Sequence, residues 1–373
     1  MKAAVLYGKE DVRVEEVKVP RLQPGEVRIA IEATLTCGTD LKVFKRGYHA
    51  KMIVPPAVFG HEMAGVISEV HSAKSKVQNG RRSAPSNAQR LGNHPSSRMA
   101  DGEGQGPWRV GDRVVVANSA PCGRCYFCRQ PQENLCDDLL FLNGAYAESI
   151  VVPARLVEKN LLRLKPSTSF RDAALAEPLA CVIQGVEEAR LKSQQRVLMI
   201  GAGPIGLMFV AVAKSLGCEV LVAGRGERRL KLARKLGASQ IFDVGGHALL
   251  ASIRSQIGAA PDVVIEAVGK PETWEAALGL VRKGGIVNFF GGCPAGQTVP
   301  LDTARMHYSS LTLVASFHHT PRTFRRALEL IERGVIRADD FVDGQCALSQ
   351  LPELFRSMAV GNRAVKTFIS VSE

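Results

Sequence analysis

The chain has 373 residues, 46% of them hydrophobic, with 35 glycines and a formal charge of +12. That length and apolar content exclude a disordered or fibrous chain and allow two ordinary domains, each with its own core. No run of about eighteen apolar residues occurs, and the N-terminal "MKAAVLYGKEDVRVEEV" alternates apolar and polar residues without the apolar stretch of a secretory signal, so the expectation is a cytoplasmic protein with no membrane span.

In chain order, residues 1–70 and 110–155 read as short strands and turns: "VRIAIEATL", "EMAGVISEV", "DRVVVANS" and "AYAESIVVP" are apolar runs bounded by Gly, Pro and Asp. From about 172 to 297 strand and helix alternate. "RVLMIGAGPIGLMFVAVAKSLGC" is strand, glycine turn and helix, "EVLVAG" a strand and "ERRLKLARKLG" a helix; "PDVVIEAVG", "ETWEAALGLVRKGG" and "IVNFFGG" continue the pattern. This predicts an α/β chain, a strand-rich unit joined to a doubly wound parallel sheet. After 298 come "SLTLVASF", a helix at "PRTFRRALELIERG" and a last strand "AVKTFISV", and no internal repeat is visible.

The basic balance invites a nucleic-acid reading, but its distribution argues against one. Between His71 and Arg109 stand seven Lys or Arg against Asp101 and Glu103, in a segment rich in Ser, Asn, Gly and Pro with no apolar period. Residues 71–109 therefore read as a mobile surface insertion, with a solvated loop lacking any partner as the simplest account.

"GAGPIG", Gly201 to Gly206, directly follows an apolar strand and opens a helix, the arrangement that turns backbone N–H groups toward a pyrophosphate. Gly201, Gly203, Pro204, Ile205 and Gly206 are the candidate contacts. Where a ribose-binding acid is usual, Gly224 is followed by Arg225, Arg228 and Arg229. Losing the carboxylate removes a repulsion toward a 2'-phosphate and arginine binds that phosphate bidentately, so NADP(H) is favoured over NAD(H). The competing reading makes these arginines a solvated helix face.

Nine cysteines is an odd number, and in a reducing compartment a close cluster of thiols more often binds metal than forms disulfides. "CGTD" supplies Cys37 and "GHE" supplies His61 and Glu62, a thiolate, imidazole and carboxylate mixture that zinc accepts.

With "CGTD", "GHE", the four-cysteine lobe, "EPLAC" and "GAGPIG" in that order, the chain resembles the zinc-dependent medium-chain alcohol dehydrogenases, most of all the sorbitol, threonine and polyol branch. The likeness covers nearly everything outside 71–109. It implies a GroES-like catalytic domain over 1–154 and 299–373, with a structural zinc lobe at 121–137, and a Rossmann cofactor domain over 155–298. It also implies Cys37 and His61 as catalytic zinc ligands, Glu62 as a ligand or neighbouring carboxylate, Glu177 in the fourth position, and Asp40 orienting His61. Cys122, Cys125, Cys128 and Cys136, spaced C-x2-C-x2-C-x7-C, suit a closed tetrahedral site that folds a lobe and leaves no position for substrate. A redox C-x-x-C and a nucleic-acid zinc ribbon are the alternatives.

The reading that follows is an enzyme with two zinc ions per chain, one catalytic and one structural, that moves a hydride between NADP(H) and a secondary alcohol of a polyol, cyclitol, sugar or amino alcohol. Val268 and Phe290, within 267–269 and 290–292, are expected at the nicotinamide. Thr39 resembles the family's relay hydroxyl, with Lys42 or His49 completing a proton path. His318 and His319 are candidate donors at the cleft mouth. The expected partners are a small molecule and further copies of the chain, as a homo-dimer or homo-tetramer. Two alternatives stand: an NAD(H)-dependent threonine or simple secondary-alcohol dehydrogenase, and a zinc-stabilised nucleotide- or nucleic-acid-binding protein without catalysis.

Overall fold

The computed structural model describes residues 1–49, 52–71, 107–361 and 364–371. The insertion expected over 71–109 therefore lies outside the described residues except for its ends, His71 and residues 107–109.

Strand Val27–Leu35 buries Val27, Ile29 and Ile31 and turns the alternate side chains outward, the two-residue period of a half-covered sheet. It is central to a seven-stranded sheet ordered Leu161–Arg163, Arg113–Val116, Met63–Val70, Val27–Leu35, Lys366–Ser370 and Val342–Ala347, with Ser149–Val152 also paired to Val27–Leu35. All of these pairs are antiparallel except Val342–Ala347 with Lys366–Ser370. Beneath it an aromatic cluster joins distant pieces of chain. Phe44 stacks on Phe355 with centroids 5.5 Å apart, and Phe59 meets Tyr146 edge-on at 5.1 Å.

The second sheet is parallel throughout, in the order Gln240–Asp243, Glu219–Gly224, Arg196–Ile200, Val263–Glu266, Ile286–Phe289 and Thr312–Ala315. Val197 to Ile200 are buried, as a strand covered on both faces demands. The chain builds outward from Arg196–Ile200 on one side, then returns to build outward on the other, so the order reverses at the C-terminal ends of Arg196–Ile200 and Val263–Glu266. Helices leave in opposite directions there and open a crevice.

The two sheets draw the domain limits differently from the sequence reading. Leu161–Arg163 pairs with Arg113–Val116 in the antiparallel sheet, past residue 154, and Thr312–Ala315 pairs with Ile286–Phe289 in the parallel sheet, past residue 298. The "SLTLVASF" run thus completes the nucleotide sheet before the chain crosses back. One apolar cluster extends from Leu35 and Ala64 through Leu179 and Ile183 to Phe209 and Phe324, so the units share a core. Among the described residues no helix is long and apolar enough to cross a membrane.

Truncating Phe355 to Ala should cost about 3–5 kcal/mol, because the ring is fully buried against Phe44, Phe59 and Tyr146. Urea titration of wild type and variant measures it, and a loss under about 1 kcal/mol contradicts the place of that ring in the core under the antiparallel sheet.

Candidate active site

Strand Val27–Leu35 delivers Cys37 to the start of helix Gly38–Arg46, where its sulfur caps the helix by accepting from the Thr39 N–H at 3.4 Å. The helix buries Asp40, Leu41, Val43 and Phe44, so its packing face carries a carboxylate into the interior. That carboxylate is fully used. Asp40 Oδ1 lies 3.0 Å from His61 Nδ1, and Oδ2 accepts from the Tyr146 hydroxyl at 2.6 Å. An Nδ1–H donated to Asp40 leaves Nε2 with the lone pair that a metal needs. Burial disfavours a charged imidazole here, but Asp40 and then Cys37 outweigh it and raise the His61 pKa well above its ordinary value.

Glu62 has no solvent exposure and meets a buried lysine that sequence reasoning missed. Lys366 Nζ donates to Glu62 Oε1 at 2.7 Å, to Oε2, and to the Thr36 carbonyl at 3.0 Å. Burial disfavours the ammonium, and Glu62 outweighs it and holds the Lys366 pKa above its usual value. The signal was a single charge inside the apolar run "AVKTFISV". Ligand atoms of Cys37, His61 and Glu62 all lie within 4.8 Å of one another, a donor set and spacing that fit one zinc ion.

Glu177, in the first turn of helix Ala176–Glu188, falls in a second group with Cys181 and His318, again within 4.8 Å. The four expected zinc ligands are thus divided in space, although the fields of His61 and Glu62 both reach Glu177. Burial pushes the Glu177 carboxyl up to about 7. His319 Nε2 stands 4.0 Å from Glu177 Oε1 and 2.9 Å from Asn118 Oδ1, while its Nδ1 is buried without a partner. The expected relay residues are less collected. Thr39 is half-buried beside Cys37, Lys42 is exposed on the helix, and His49 forms a bridge with Ile53 beyond it.

In the four-cysteine lobe, sulfurs lie 3.5 Å apart for Cys125–Cys128, 3.8 Å for Cys125–Cys136 and 3.9 Å for Cys122–Cys128. Thiolates at tetrahedral corners around zinc are about 3.8 Å apart, given a Zn–S bond of about 2.3 Å. The lobe fits a closed site. Backbone N–H groups of Arg124 and Cys125 hold the Cys122 thiol down at about 6, and burial pushes Cys128 up to about 12.

On the nucleotide side, a Cβ on Gly206 would fall 1.8 Å from the Gly201 carbonyl oxygen, while nothing stands within 4 Å of one on Gly203. The turn is closed inward and open outward, with Gly203 at the N-cap and Pro204 at the start of helix Pro204–Ser215; Ile205 packs against the core below. Gly224 admits no carboxylate stem without movement, because its Cβ would meet Ala202 Cβ at 2.7 Å and Ala202 N at 2.9 Å. Arg225 is exposed and donates to the Gly245 carbonyl at 3.1 Å.

The neighbouring arginines serve otherwise. Arg228 pairs with Asp343 at 2.8 Å, and Arg229 reaches the Ala364 carbonyl at 3.4 Å, so both tie this edge to the antiparallel unit. Val268 is exposed at the crevice, whereas Phe290 packs edge-on to Phe209 at 5.1 Å. Glu266, also missed, shapes that rim. Its carboxylate accepts from the N–H groups of Val268 at 2.7 Å and Gly269 at 2.9 Å and from the Thr273 hydroxyl at 2.8 Å.

The zinc-binding dehydrogenase family matches residues 204–333, and the alcohol dehydrogenase GroES-like domain family matches residues 23–106 and 97–161. The chain is similar to sorbitol dehydrogenase of Bacillus subtilis (strain 168), 28% identical over 374 residues covering 99% of this chain and 97% of the relative. It is similar to L-idonate 5-dehydrogenase of Vitis vinifera, 29% identical with 99% and 94% covered. Among solved structures, a zinc-binding dehydrogenase of Sinorhizobium meliloti 1021 bound to NADP superposes with a TM-score of 0.81 at 27% identity, covering 99% of this chain and 98% of that one.

The raised carboxyl of Glu177 carries a pH signature in the metal-free chain. Its folded value, about 7, lies above the ordinary 4.5, so the folded chain keeps a proton that the unfolded chain releases. That contribution is fully present below pH 4.5 and is lost as pH rises through about 7, an effect of about 3 kcal/mol. Chelated wild type should lose stability relative to chelated Glu177→Gln across this window in urea titrations; parallel pH profiles would contradict it.

Proposed function

The chain belongs to the zinc-dependent medium-chain alcohol dehydrogenase family and is an oxidoreductase, and we propose that it transfers a hydride between NADP(H) and a secondary alcohol, or the matching ketone, of a polyol, cyclitol, sugar or amino alcohol. What supports this reading most is the Cys37, His61 and Glu62 group, with His61 and Glu62 buried, Cys37 half-buried and Glu177 close enough for their charges to act on it. A bound zinc supplies Lewis acidity to a substrate hydroxyl. A bound nicotinamide supplies the hydride-accepting carbon.

The chain's residues do the rest. Cys37 and His61 would hold the metal, while Asp40 fixes the imidazole through Nδ1 and Tyr146 fixes Asp40. Lys366 neutralises Glu62 and keeps that carboxylate in place. Gly201 to Gly206 present the helix N-terminus to a pyrophosphate, and Glu266 sets the loop carrying Val268 at the nicotinamide end. Thr39, two residues after Cys37, would relay the substrate proton by accepting it as its own hydroxyl proton passes on toward Lys42 or His49.

The NADP(H) preference rests on the blocked space at Gly224 and the exposed Arg225, and the NADP-bound relative supports it. Relatives named for sorbitol and L-idonate support a polyhydroxylated substrate, as do His318 and His319 near Glu177. A homo-dimer or homo-tetramer is supported by the sheet edge Thr312–Ala315, flanked by exposed Tyr308 and Phe317.

Two zinc ions per chain are expected. Cys37→Ser should abolish turnover and remove one zinc from a folded protein, whereas Cys125→Ser should lower stability and yield. Metal analysis with thermal melting decides, and Cys125→Ser with unchanged zinc and melting would refute the structural role of the lobe.

NADP(H) should exceed NAD(H) in kcat/KM, and Arg225→Ala should cost NADP(H) about 10- to 100-fold, the range of a charge-assisted phosphate contact. A panel of ethanol, 2-butanol, threonine, 2,3-butanediol, sorbitol, an inositol and a sugar phosphate, read at 340 nm in both directions, tests the substrate class. Ethanol winning by a wide margin, or equal use of both cofactors, would overturn the corresponding part.

A further inference from the structure

We propose that Glu177, Cys181 and His318 form a second divalent-cation position beside the Cys37–His61 group, and that a zinc ion taken up there inhibits the enzyme. Cys181 follows Glu177 by four residues on helix Ala176–Glu188, so the two share one face, with the thiol 3.9 Å from Glu177 Oε1. His318 arrives from the segment after strand Thr312–Ala315. One ligand atom of each residue lies within 4.8 Å of the others. Carboxylate, thiolate and imidazole are the donors zinc takes, and three of them leave a position open to solvent.

The histidine is held for this placement. His318 has a left-handed backbone, φ 61°, which a non-glycine residue keeps only when its surroundings enforce it. Here the Asn134 amide, from the four-cysteine lobe, donates to the Phe317 carbonyl at 2.9 Å. Ser119 Oγ lies 2.6 Å from His318 Nε2, and the ring sits between Phe141 at 5.6 Å and His319 at 4.1 Å. Cys181 and His318 are each only half-buried, so an ion has a way in.

The same geometry explains inhibition. Glu177 lies close enough to His61 and Glu62 for their charges to act on its carboxylate, so an ion held by Glu177, Cys181 and His318 would stand beside the Cys37–His61 group and crowd a substrate entering there. The second position therefore answers to free zinc above the amount that loads the enzyme.

The test uses the full chain with its resident zinc, dialysed against buffered Zn2+ from nanomolar to about 100 micromolar, with bound zinc and turnover measured on the same samples. One further equivalent should bind, with turnover falling in step. Cys181→Ala should keep its resident zinc and basal turnover, and should need at least about tenfold more free zinc for the extra equivalent. Cadmium added to the wild type in place of the extra zinc should produce the ultraviolet thiolate-to-metal absorption at that equivalent, which needs no variant to fold. The proposal is overturned if no further equivalent binds, if Cys181→Ala binds it with wild-type affinity, if cadmium gives no thiolate band, or if the extra zinc binds with turnover unchanged.

Discussion

A carboxylate taken wholly out of water must meet a cation, and Glu62 meets Lys366. That pairing ties residue 62 to residue 366 and obliges the end of the chain to return to the first sheet. Lys366–Ser370 does so by pairing with Val27–Leu35, the strand that delivers Cys37. The nucleotide unit is consequently an excursion whose two ends enter and leave beside the same site. Leaving Glu62 without Lys366 would strand a buried charge, whereas the surface ion pairs of this chain matter far less.

Around that pair, charges of opposite sign alternate. Tyr146 donates to Asp40, Asp40 meets His61, and Lys366 donates to Glu62, the next residue in the chain, so these buried polar atoms find partners without water. Such a network is costly when incomplete and rigid when satisfied. The cofactor side works differently, relying on backbone: closed glycine geometry at Gly201 and Gly206, and N–H groups gathered by Glu266. Side chains set the metal end and main chain sets the nucleotide end.

What keeps the two halves in register is mostly apolar. The Arg228–Asp343 and Lys235–Asp340 pairs cross between units with their cations exposed, and exposed pairs contribute little. The shared cluster from Leu35 to Phe324 contributes more, because it removes apolar surface of both units from water. Asn134 adds a directional tie, because it connects the cysteine lobe to the backbone just before His318. The lobe therefore reaches the cleft without donating a side chain to the metal.

By itself the sequence determined whatever depends on short spacing: the cysteine lobe, the glycine turn between a strand and a helix, and the alternation that makes a parallel sheet. Asp40 was legible as the partner of His61 because the family pattern places it three residues after Cys37. Only the tertiary structure decided what depends on chain return. Lys366 beside Glu62, Tyr146 on Asp40, His318 beside Cys181, and the diversion of Arg228 and Arg229 to Asp343 and Ala364 all join residues far apart in the chain. The domain limits moved for the same reason, since a strand belongs to the sheet that satisfies its hydrogen bonds, and Leu161–Arg163 and Thr312–Ala315 find those partners across the expected boundaries.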